Sequence, residues 1–101
     1  MTDQRINHRR QIFSITLSHA ANVLLVGDFT HWQETPIPLK RGTAGEWYRA
    51  VNLLPGSYLY RFIVDGQWCD DPQSTLSVPN PYGSRNSVRQ VNGNATRLVR
   101  P

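Results

Sequence analysis

Apolar residues in this chain recur with a period of two, in short runs separated by turn-forming residues. Successive side chains on a strand point to opposite faces, so this period predicts strands half-buried against a core, whereas a helix needs a 3.6-residue stripe. Phe13, Ile15 and Leu17 alternate with Ser14, Thr16 and Ser18. Trp47, Val51 and Leu53 share a second such face, on which Arg49 intrudes, and Tyr58, Tyr60, Phe62 and Val64 share a third. The run from Asn22 to Val26 is apolar without alternation, as a strand covered on both faces should be. Weaker strand candidates cover Asn86 to Val91 and Thr96 to Val99. Gly27-Asp28, Gly42 to Gly45, Pro55-Gly56, Asp65-Gly66 and Asn92-Gly93-Asn94 supply the turns between them. No helical stripe of useful length appears. Short strands at roughly ten-residue spacing predict an all-β sandwich.

A chain of 101 residues has room for one hydrophobic core. The expected division is a basic N-terminal tail over 1–10, the sandwich over 11–92, and a closing strand or tail over 93–101. No run approaches the roughly 18 apolar residues of a membrane helix, the tightest cluster being Val23-Leu24-Leu25-Val26. The first ten residues lack the apolar segment of a secretory signal. Cys69 is the only cysteine, which excludes an intramolecular disulfide and argues against structural zinc. A reducing, cytoplasmic setting with no membrane partner is the expectation.

The net charge of +4 and pI near 9.8 raise the question of a nucleic-acid ligand. The charge is in the wrong place for one. Arg5, Arg9 and Arg10 face only Asp3 in the first ten residues, and Arg85, Arg89, Arg97 and Arg100 have no acid among residues 85–101. The stretch between, which holds all of the tryptophan and tyrosine, has more acids than bases. A phosphate-tracking groove interleaves cations with its stacking aromatics. No nucleic-acid partner is expected.

Catalytic chemistry finds little to work with. Asp70 and Asp71 are adjacent, but neighbours on an extended chain point to opposite sides and cannot flank one glycosidic bond. Asp71-Pro72 reads as a turn entry in which the acid caps backbone amides. His8, His19 and His31 fall at no ligand-like spacing. Cys69 lacks a nucleophile context, and no glycine-rich phosphate loop is present. No catalytic residue, metal or cofactor is expected.

Two tryptophans in turn regions are the distinctive feature. Trp32 follows Gly27-Asp28-Phe29-Thr30-His31, and Trp68 follows the Asp65-Gly66-Gln67 turn. An indole face suits the C–H face of a pyranose ring, whose hydroxyl rim then calls for a few polar groups nearby. Arg61, Ser84 and Asn86 are candidates for that rim. The residues alone leave equally open that either tryptophan packs beneath its loop.

The stretch from Val23 to Val91, about two-thirds of the chain, resembles the glycogen-binding module of carbohydrate-binding family 48. That family includes the β-subunit of AMP-activated protein kinase and the N-terminal domains of isoamylases and glycogen branching enzymes. The matching blocks are Val26-Gly27-Asp28-Phe29 with Trp32, Pro38-Leu39, Gly45-Glu46-Trp47 and Leu53-Leu54-Pro55-Gly56. They continue through the unbroken block from Tyr58 to Trp68, Asp71-Pro72, and Tyr82-Gly83-Ser84-Arg85-Asn86-Ser87-Val88. The resemblance implies an immunoglobulin-like, early-set β-sandwich. It makes Trp32 and Trp68 the stacking platforms. Arg61 stands where the kinase modules have a lysine, Tyr82 where they have a leucine, Ser84 where they have a threonine, and Asn86 matches their asparagine. Phe29, Tyr60 and Phe62 are assigned to the core. The segment from Pro72 to Gly83 is one residue longer than in the kinase modules. The function implied is non-catalytic binding of glycogen or another α-1,4-glucan, with an α-glucan-processing enzyme or kinase subunit as protein partner. The alternative is an N-terminal docking domain of an isoamylase-type or branching enzyme.

Overall fold

Strands form where the alternation and the turn residues place them, in a computed structural model that describes residues 8–93. In chain order they are β1 (Arg9–Thr16), β2 (Val23–Gly27), β3 (Ile37–Pro38), β4 (Lys40–Arg41) and β5 (Glu46–Leu53). They continue with β6 (Gly56–Val64), β7 (Gln67–Cys69), β8 (Ser77–Pro79) and β9 (Arg85–Val91). Two single-turn 3-10 helices, Asp28–Thr30 and Trp32–Glu34, follow β2. β1 begins at Arg9, ahead of the alternation that marks it. The strand expected over 96–99 lies outside the described residues.

The strands make two antiparallel sheets. One has the order β1-β5-β4; the other has the order β3-β2-β6-β9-β8, with β7 also paired to β6. Phe13, Ile15, Trp47 and Leu53 from the first sheet meet Val23, Leu25, Tyr60, Phe62 and Val91 from the second, and all are buried. Aromatic edges lock this interior: Phe13 stands 5.0 Å from Tyr60 at 76°, and Tyr60 stands 6.0 Å from Phe62 at 81°. Arg49, the cation on an apolar face, spans the sandwich and donates from Nη1 to Pro38 O on β3 at 2.6 Å. Arg89 does the same at the flank, where its Nη atoms donate to Gln11 Oε1 and Ile12 O at 3.2 Å and its Cζ sits 4.1 Å over the Phe13 ring.

β2 is covered on both faces, for two different reasons. Val23 and Leu25 face the core. Val26 faces outward and is nevertheless fully buried, outside the core cluster, beneath the loop that follows β2. That outer face of the larger sheet carries the site described below.

Candidate functional site

Gly27-Asp28-Phe29 turns the chain out of β2 by three contacts. A Cβ on Gly27 would stand 2.5 Å from Leu59 O, so only glycine lets the loop approach β6 this closely. Asp28 Oδ2 accepts from Leu59 N at 2.8 Å. Phe29 packs 5.5 Å from Phe13 and 5.9 Å from Tyr58. Thr30, buried to 1% exposure, then knots the loop: its Oγ1 accepts from Gly27 N at 2.9 Å and lies 2.7 Å from Trp32 O, while its own carbonyl accepts from Thr35 N at 3.1 Å. His31 and Trp32 are both left-handed, with φ of 52° and 57°. Two successive non-glycine residues in that region are uncommon, and such backbone strain gathers at functional sites.

Trp68 is placed by a hairpin. Asp65 and Gly66 both have positive φ, as a two-residue Asp-Gly connection requires. Asp65 Oδ1 also accepts from Ala21 N and Asn22 N at 2.9 and 2.8 Å, anchoring the turn to the chain before β2. The register then sets Trp68 opposite Ile63, on the outer face with Leu59 and Arg61.

The third side comes from the loop between β8 and β9. Asn80 Oδ1 accepts from Tyr82 N at 2.9 Å and from Ser84 N at 3.2 Å, and its Nδ2 donates to Asn86 Oδ1 at 3.2 Å. With its carbonyl so engaged, Asn86 keeps its amide N–H groups for another acceptor. Tyr82 stands 89% exposed.

These three segments enclose an open cavity of about 900 Å³ lined by Asp28, Trp32, Gln33, Leu59, Arg61, Trp68, Asn80, Pro81, Tyr82, Ser84 and Asn86. All six residues selected from the sequence (Trp32, Arg61, Trp68, Tyr82, Ser84 and Asn86) are among them. Trp32 is half-buried and Trp68 is 43% exposed, whereas Trp47 is 6% exposed in the core. Asp28, Gln33, Leu59, Asn80 and Pro81 were not selected. The Gly-Asp-Phe turn could have pointed to Asp28; Asn80 lies in the segment where the resemblance departs in length.

The neighbouring acids divide as their adjacency demands. Asp71 is buried, accepts from Gln73 N at 2.9 Å as a turn cap and from the Tyr60 hydroxyl at 2.5 Å. Asp70 is exposed and pairs with Arg61. Burial, with the Asp70 charge beside it, pushes the Cys69 thiol up from its ordinary value, which makes it a poor nucleophile.

The family model described as the glycogen recognition site of AMP-activated protein kinase matches residues 13–97. The chain belongs to this family. Membership in the glycogen-recognition family places it among carbohydrate-binding modules. Protein PTST homolog 2, chloroplastic, of Arabidopsis thaliana is 43% identical over 63 residues, which cover 62% of this chain and 12% of that protein. Protein FLOURY ENDOSPERM 6, chloroplastic, of Oryza sativa subsp. japonica is 30% identical over 89 residues, 88% of this chain and 16% of that protein. The 5'-AMP-activated protein kinase subunit beta-1 of Sus scrofa is 32% identical over 69 residues, 68% of this chain and 53% of that protein. The chain thus spans from 12% to 53% of these relatives' lengths. Among solved structures, apo pullulanase from Paenibacillus barengoltzii shares the fold, with a TM-score of 0.51 and 22% identity over 86% of this chain and 14% of that one.

The comparisons overturn one expectation. The Arabidopsis and Oryza relatives of this glycogen-recognition module are chloroplastic proteins by name, so a cytoplasmic setting does not stand. A lone cysteine cannot form an intramolecular disulfide in any compartment, so its being free does not distinguish one from another.

Proposed function

We propose that this chain binds α-1,4-glucan chains of the glycogen or starch type and performs no reaction on them. One observation carries the reading: six residues from three separate segments of the sequence line a single cavity on one face of the molecule. Trp32 and Trp68 act as platforms on which the C–H faces of glucose rings stack. Arg61 and Asn86 donate to ring hydroxyls, Ser84 exchanges hydrogen bonds with them, and Tyr82 overhangs the opening. The cavity combines apolar surface with a few convergent polar groups, as a sugar site requires. Platforms on separate loops suit the curl of an α-linked chain better than a flat β-linked one.

The relatives extend the reading to a setting. They are longer than this chain, and one is a protein kinase subunit by name. The module holds glucan on behalf of a larger assembly whose working part is a kinase subunit or an α-glucan-processing enzyme.

Retention on insoluble supports tests this directly. The chain should be held on glycogen or amylose beads, released by maltoheptaose or β-cyclodextrin, and pass through cellulose unretained. Equal retention on cellulose, or none on any α-glucan, would remove the basis for the assignment.

A further inference from the structure

Arg61 occupies a gap in the larger sheet. Along one edge of β6, β9 pairs as far as Tyr60 and β7 pairs from Phe62, which leaves Arg61 between them. Asp71 N donates to Ser87 Oγ at 3.3 Å across the same divergence. The Arg61 side chain is only 12% exposed, and its Nε is buried without a hydrogen-bond partner. Two contacts hold the guanidinium there. Nη2 donates to Asp70 Oδ1 at 2.9 Å, and Cζ lies 5.3 Å from the centroid of the Trp68 ring.

This geometry links a charge to a platform. A guanidinium lies flat against an indole by cation–π attraction, which is stronger where water is excluded. With the guanidinium beside it, Trp68 still stands 43% exposed and open to a ligand. Arg61 is the single cation in the cavity lining among the described residues, and Asp28, the lining acid, keeps its negative charge while it accepts from Leu59 N, away from the guanidinium's own partner Asp70. The Asp70 carboxylate therefore holds the guanidinium in place and, with Asp28, leaves the site without excess positive charge.

Resting on the glucan reading above, we propose that Asp70 is a positioning residue that clamps Arg61 against Trp68 and cancels its charge, so that the site takes an uncharged glucan and disfavours one bearing phosphate esters. Neither Arg61 nor Trp68 alone would make that distinction. A free arginine beside stacking aromatics would favour an anionic sugar, since guanidinium pairs readily with phosphate.

The test is a titration of the full chain and its Asp70→Asn and Asp70→Glu variants with maltoheptaose and with 6-phosphorylated maltoheptaose, at 50 and 300 mM NaCl. An ion pair this exposed on one side contributes at most about a five-fold effect. Asp70→Asn should bind maltoheptaose up to about five-fold more weakly and the phosphorylated ligand more tightly than the parent. The gain should disappear at high salt, where the exposed charge is screened. Asp70→Glu should restore the parent's preference. Unchanged binding of both ligands by Asp70→Asn would overturn the proposal, as would equal weakening of both, or loss of folding. If the parent binds neither oligosaccharide, the glucan reading itself fails and takes this inference with it. A parent that binds maltoheptaose beside an indifferent Asp70→Asn removes the inference alone.

Discussion

The Tyr60 hydroxyl lies between the sheets, 1% exposed, and donates to Asp71 Oδ2 at 2.5 Å. Burial first, then the hydrogen bond and the negative charge of Asp71, raise its pKa well above the ordinary tyrosine value. The folded chain therefore keeps this proton at a pH where the unfolded chain, with a tyrosine pKa near 10, has lost it. Stability from this group is complete below about pH 10 and declines as the pH climbs beyond it, by at most about 1.4 kcal/mol per pH unit. Urea denaturation of the parent and Tyr60→Phe between pH 8 and 11.5 should show a shallower alkaline decline in the variant. Parallel curves would mean that this hydroxyl does not differ between the folded and unfolded chains. At the same scale, Thr30 explains how Trp32 is held in a left-handed conformation: one buried hydroxyl closes the loop against Gly27 and the Trp32 carbonyl.

The loop between β8 and β9 is organised from within by Asn80, which makes side-chain hydrogen bonds to Tyr82 N, Ser84 N and Asn86 Oδ1. Its backbone N also donates to Ser84 O at 3.0 Å, and Gly83 takes the positive φ of 83° that closes the turn. Asn80→Ala removes the three side-chain bonds at once while the core is untouched. Each such bond contributes about 0.5–1.5 kcal/mol, so loss of order in the loop should weaken maltoheptaose binding roughly tenfold. The melting temperature should fall by only a few degrees. Unaltered affinity would show that the loop does not contribute to the site. Much of the rest was legible beforehand at this scale. Period-two alternation located β1, β5 and β6, and Asp65-Gly66 marked the hairpin that presents Trp68. Asn80 and Asp70 were not legible as parts of the site. Asn80 bonds only within its own loop, whose conformation no periodicity announces, and Asp70 meets Arg61 as the next position of the β6–β7 register beyond Phe62 and Cys69. Arg49 likewise looked out of place on its strand until the facing sheet supplied Pro38 O.

Over the whole molecule, three of the arginines that make the two ends of the sequence basic serve the fold. Arg89 ties β9 to β1, Arg9 donates to Gly93 O at 2.9 Å, and Arg85 bonds Ser77 on the neighbouring strand. The tryptophans divide between two places. Trp47 joins the core between the sheets, while Trp32 and Trp68 line the cavity on the outer face of the larger sheet. Core truncation of Trp47 should cost about 3–5 kcal/mol of stability. Stacking a glucose ring on Trp32 or Trp68 removes about 80–100 Å² of apolar surface from water, about 2 kcal/mol at ~25 cal/mol per Å². Each loss should then weaken binding roughly 30-fold. The measurement that decides the account is a maltoheptaose titration of Trp32→Ala, Trp68→Ala and Trp47→Ala, with melting recorded on the same samples. The first two should remain folded near the parent's melting temperature and bind about 30-fold more weakly, and the third should melt far lower. Trp32→Ala and Trp68→Ala variants that unfold as badly as Trp47→Ala, or that stay folded and bind as tightly as the parent, would contradict it.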